Sequence, residues 1–142
     1  MSFKMTAVFP HGADIPAKYR YKGDNIPPPL EWINPPHGTN SFALIVDDPD
    51  APGNTWVHWL VYNLHFKTCS LPESGVNGVN SWGELGYRGP CPASGIHRYF
   101  FKLYTLDYML DLPSGLNKNE LDRAMTNHML GRAWLMGLCR SQ

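Results

Sequence analysis

Two short stretches of the sequence collect side chains that can donate, accept or exchange protons. The first holds Asp48, Pro49, Asp50, Ala51 and Pro52, followed by Trp56, Val57, His58 and Trp59. The second holds Gly89, Pro90, Cys91, Pro92 and Gly95, which lead into His97, Arg98 and Tyr99. Prolines so placed lock φ and narrow the choice of loop conformations, so each stretch reads as a stiff loop delivering one histidine. Taken singly, Asp beside Pro is ordinary turn chemistry, and a lone histidine in an apolar strand is ordinarily a satisfied core residue. Two such loops together point to a pocket, and three chemistries fit the residue types. Imidazole and phenol groups can bind a small anion; Cys91 can act as a nucleophile near His97; and Asp with two His can hold a metal for hydrolysis. Cys91 lies between two prolines with no helix start to lower its pKa, and the Asp and His residues lack a diagnostic metal spacing, so anion binding leads.

The elements that must position these residues are mostly strands. Ser41 to Val46 is nearly continuously apolar, as in a strand buried on both faces, and it stops at Asp47 and Asp48, which puts the acids at a strand end. Trp56 to Leu64 and Tyr99 to Leu106 are rich in aromatic and β-branched residues and read as central strands. Residues 26 to 36 contain Pro27, Pro28, Pro29, Pro35 and Pro36 and read as a rigid connection around Leu30 and Trp32. One helix is expected over residues 117 to 131, capped by Asn117 and Glu120, carrying Leu121, Met125 and Met129 at four-residue spacing and ending at Gly131. Ala133 to Leu138 returns as a strand or continues the helix; periodicity leaves both open.

Composition narrows the rest. A chain of 142 residues, 43% hydrophobic and 17% charged, suits one folded domain spanning residues 1 to 142. Twelve basic and twelve acidic side chains cancel, so no global field draws in nucleic acid or an anionic membrane. No apolar run is long enough to span a bilayer, so no integral membrane association is expected. Three cysteines without paired spacing argue against a disulfide framework and for the cytoplasm. A homodimer is the default assembly if the chain associates at all.

The two stretches also carry a resemblance. Asp48-Pro49-Asp50-Ala51-Pro52 with Trp56-Val57-His58-Trp59, and Tyr87-Arg88-Gly89-Pro90-Cys91-Pro92 with Gly95-Ile96-His97-Arg98-Tyr99, resemble the two signatures of the phosphatidylethanolamine-binding protein family. The likeness extends from Ile15, Pro16 and Tyr19 through Pro28, Pro29, Leu30 and Trp32 to the closing helix and strand, and is most similar to the bacterial and archaeal Raf kinase inhibitor-like branch. It implies a mainly β fold of two antiparallel sheets packed together, with one helix near the C-terminus. It further implies an anion pocket holding Asp48, His58, His97 and Tyr99, with Asp50 supporting the first turn, Pro90 and Cys91 in the wall, and no metal or cofactor. Trp56, Trp59 and Trp82 are available as apolar walls, and an imidazole beside a carboxylate is expected to be charged. The implied function is non-catalytic binding of a phosphate, phospholipid headgroup or similar anion, with a regulatory role through an unidentified protein partner. Inhibition of a kinase or protease by direct contact is the alternative. Ile26, Pro27 and Ile96 depart from the usual pattern, as does Arg88, which either adds a cation beside the ligand or points into water.

Overall fold

The computed structural model describes residues 2–142. Its centre is β3, Ser41–Asp48, in which every residue is buried. Burial is complete because β3 lies in the middle of a five-stranded antiparallel sheet. Its neighbours are β4 (Trp56–His65) and β7 (Ile96–Leu106), with β6 (Val76–Asn77) beyond β4 and β8 (Met129–Arg140) beyond β7. At β3 both faces of this sheet are covered. Phe42, Leu44 and Val46 point into one apolar cluster with Met5, Leu30, Trp32 and Leu71, which come from a smaller sheet built of β1 (Lys4–Ala7), β2 (Leu30–Ile33) and β5 (Ser70–Leu71). Ala43 and Ile45 point the other way, into a second cluster with Leu110, Leu121 and Met125. A strand flanked by apolar layers on both sides gains from apolar residues at every position, which explains the unbroken run in the sequence.

Two sequence expectations change. Residues 26 to 36 are not solely a connection, because four of the five residues between the proline runs form β2 and alternate buried and exposed. Leu30 through Ile33 all keep their amide donors, and the strand pairs with β1 through Met5 and Trp32 and with β5 through Leu30 and Leu71. The helix, α1, is shorter than its periodicity suggests and spans Lys118–Met125. Thr126 leaves helical geometry and Asn127 adopts φ of 69°, turning the chain before a third turn can form. Met129 therefore belongs to β8, opposite Leu106, and Ala133 to Leu138 continues that strand. The expected cap is present as a reciprocal pair: the Asn117 side chain accepts from the Glu120 amide, and Glu120 accepts from the Asn117 amide.

No helix of the described residues is long and apolar enough to cross a membrane. What the fold does for the site is to place β4, β3 and β7 side by side. The C-terminal end of β3 then lies beside the N-terminal ends of its two antiparallel neighbours, with Asp48 opposite Trp56 and Asp47 opposite Phe100.

Candidate functional site

At that end of the sheet, Asp48, His58, His97 and Tyr99 line one open cavity of about 350 Å³, walled by Ala51, Pro52, Trp56, Trp82, Cys91, Pro92 and Ala93. Asp48 closes β3, His58 is the third residue of β4, and His97 and Tyr99 alternate on β7, so neighbouring strands supply all four. Asp48 organises the group. One of its oxygens accepts from the Asp50 amide at 2.8 Å, closing the Asp-Pro turn, and the other accepts from His97 Nδ1 at 2.6 Å. His97 is half-buried, whereas Asp48, His58 and Tyr99 are all but sealed from solvent.

His58 differs from the expectation of a charged imidazole. Its Nδ1 sits 2.7 Å from the carbonyl oxygen of Arg88, and because a carbonyl only accepts, Nδ1 carries the proton. Burial outweighs the favourable carbonyl and Asp48 contributions and pushes the pKa down from 6.5 to about 4. At neutral pH the ring is uncharged, and Nε2 is left as a lone-pair acceptor. The Tyr99 and Trp82 rings meet it edge-on at 5.1 and 4.9 Å between centroids. Burial, followed by the charge of Asp48, raises the Tyr99 phenol above its ordinary value, so it stays protonated as a donor.

Asp50 does not line the cavity. It fastens the first loop to β7, accepting from the Arg98 amide at 2.8 Å and from Arg98 Nε and Nη2 at 2.9 and 2.8 Å. This two-pronged pairing with Arg98 lowers the Asp50 pKa to about 2. Pro90 is also outside the cavity. It is buried, its carbonyl accepts from the Tyr21 amide, and it borders an adjoining cavity instead. Cys91 borders both cavities. Among the tryptophans, Trp56 and Trp82 form wall, whereas Trp59 is buried in the core against Tyr87.

Arg88 takes neither of the roles open to it from sequence. Its guanidinium is sandwiched between the rings of Tyr21 and Trp82, 4.2 and 4.3 Å from their centroids, and pairs with Glu84 at 3.2 Å. It therefore holds a wall of the cavity while its carbonyl sets the His58 tautomer. Sequence reasoning missed this because the functional atom belongs to the backbone. The loop is held close to the chain at Gly89, where an added Cβ would stand 2.4 Å from the Tyr19 carbonyl oxygen. Among the described residues no group of three His, Cys, Asp or Glu side chains is arranged to hold a metal ion.

Comparison with known proteins identifies the family and the fold. The chain is 46% identical over 145 residues to a UPF0098 protein of Methanothermobacter thermautotrophicus, covering 95% of this chain and 96% of that one. It is 44% identical over 138 residues to a UPF0098 protein of Chlamydia muridarum, covering 91% and 92%. The crystal structure of a phosphatidylethanolamine-binding protein homolog from Chlamydia trachomatis superposes with a TM-score of 0.94 at 38% identity, covering 99% of each chain. Escherichia coli YbcL, described as a member of the mammalian family, superposes with a TM-score of 0.90 at 26% identity over 99% of each chain. The family model for phosphatidylethanolamine-binding protein matches residues 5–140, the span that holds every side chain lining the cavity, and the chain belongs to that family.

Proposed function

We propose that the cavity binds a small phosphate-bearing molecule, a phospholipid headgroup among the candidates, and releases it unchanged. The observation that carries this reading is the convergence of Asp48, His58, His97 and Tyr99 on one wall of a cavity large enough for a headgroup. Tyr99 supplies a neutral donor, and the His97 ring, held through Nδ1 by Asp48, keeps Nε2 for a ligand. The charges also restrict the ligand. Asp48 is a carboxylate and His58 is neutral with a bare Nε2, so a fully deprotonated anion would meet two acceptors. A ligand that brings its own proton or an ammonium group avoids that repulsion, which favours zwitterionic headgroups and hydrogen phosphate over a bare dianion. Trp56 offers an aromatic wall to such an ammonium group, whereas Trp82 already carries the Arg88 guanidinium over its ring.

Binding without chemistry is favoured by how the reactive groups are engaged. Cys91, the one thiol that borders the cavity, makes no hydrogen bond to either imidazole among the described residues, so no nucleophile–base pair is assembled there; the two rings, each held through Nδ1, keep Nε2 for the ligand. Three free cysteines suit a reducing compartment such as the cytoplasm.

Titration of the protein with inorganic phosphate and with phosphoethanolamine, followed through the His58 and His97 ring signals by NMR, tests the reading. Saturable shifts of both rings are expected, with tighter binding of phosphoethanolamine and an intact ligand in the phosphorus spectrum. No saturable shift of either ring with either compound would sink the binding role, and release of inorganic phosphate from phosphoethanolamine would sink the non-catalytic one.

A further inference from the structure

The segment Cys91, Pro92 and Ala93 is a partition, since the same three residues line a second cavity on its other side. This second cavity, of about 280 Å³, is bounded by Arg20, Lys22, Arg140, Pro90, Cys139 and Gln142. Its electrostatics are opposite to those of the first. Three cations converge on it, and no Asp or Glu side chain lines it. None of the six ion pairs among the described residues involves Arg20, Lys22 or Arg140. Arg20 is half-buried and held in place by its Nε, which donates to the Ile15 carbonyl at 2.7 Å and leaves both Nη groups unused by that bond. The nearby carboxylates Asp14 and Asp48 are felt at Cys139 but do not border the cavity.

Three like charges around one enclosure repel each other, and the repulsion is relieved when an anion enters. Guanidinium groups recognise the oxygens of phosphate and carboxylate through paired, charge-assisted hydrogen bonds. Pro90, Pro92 and Ala93 offer apolar wall beside them. The volume lies just below the roughly 300–1,000 Å³ usual for small-molecule sites, which suits a compact ligand. We infer that Arg20, Lys22 and Arg140 form a second anion site, separate from the Asp48–His58–His97–Tyr99 cavity, which takes a small molecule through a phosphate or carboxylate group.

Cys139 pairs with His97 across β7 and β8, so backbone amides there respond to either cavity. The reporters are therefore the Arg20 and Arg140 Nε–H signals, followed during titration with inorganic phosphate and with acetate against chloride at matched ionic strength. At least one of the two anions is expected to shift both arginine signals saturably, with a concentration dependence distinct from that of the His58 and His97 rings. Lys22 and Arg140 are exposed, so Lys22→Gln with Arg140→Gln should leave the fold intact. The double variant should weaken the response at Arg20 by about tenfold or more. Arginine shifts that track only ionic strength, or an Arg20 response unchanged in the double variant, would overturn the site. Loss of the histidine response alone would leave it standing.

Discussion

His58 shows how little a residue's type says about its charge. An imidazole beside a carboxylate would ordinarily be held charged, yet at His58 burial wins and the pKa falls from 6.5 to about 4. Between these two values the unfolded chain binds a proton that the folded chain refuses. Stability is therefore full above about pH 6.5 and declines as pH falls toward 4. The loss from this residue should be on the order of 3 kcal/mol, taking about 1.4 kcal/mol for each pKa unit. Denaturant melts at pH 7 and pH 4.5 measure it. His58→Asn, which keeps a donor for the Arg88 carbonyl, should flatten the difference, and an equal decline in wild type and variant would place the acid sensitivity elsewhere.

Among the elements, legibility followed the range of the cause. The α1 cap was readable because Asn117 and Glu120 satisfy each other three residues apart, and Asn117→Ala should cost about 1 kcal/mol in a denaturant melt without altering phosphate binding. The end of α1 was not readable from spacing, since Met129 continues the four-residue rhythm although Asn127 has already turned the chain. β2 was hidden for a similar reason. Prolines on both sides dominate the local composition, while the strand is fixed by partners at Met5 and Leu71, far away in sequence. The second signature loop depends equally on distant contacts, because Gly89 approaches Tyr19 and its amide donates to Asn25 Oδ1 at 2.8 Å. Gly89→Ala should displace the loop, lowering stability by roughly 1–3 kcal/mol and weakening phosphate binding in the same preparation. An alanine variant with wild-type affinity would show that the loop tolerates the shift.

At the scale of the whole molecule, the cavity exists because sheet order brings together residues that are distant in the chain. Asp50 and Arg98 are the clamp that joins the first loop to β7. The pair is partly exposed, with 28% and 50% of the two side chains accessible, so solvent screens it and its direct worth to stability is small. Its consequence for binding should be larger. Asp50→Asn removes the charge that holds the Asp-Pro turn over His97, and is expected to weaken phosphate binding severalfold, read by the histidine NMR titration, while the melting midpoint barely moves. Unchanged affinity would reduce the clamp to surface decoration.

The sequence by itself determined the family, the mainly β character, the buried central strand and the helix cap, and its signatures named Asp48, His58, His97, Tyr99 and Cys91, which share the cavity, together with Asp50 and Pro90, which do not line it. Each of these rests on local patterning or on a signature several residues long, which survives without coordinates. Only the tertiary structure decided that His58 is neutral, that a backbone carbonyl chooses its tautomer, that Pro90 faces away from the first cavity, and that Arg20, Lys22 and Arg140 surround a second. Those properties depend on desolvation and on contacts between residues tens of positions apart, and both are set by packing rather than by neighbours in the chain.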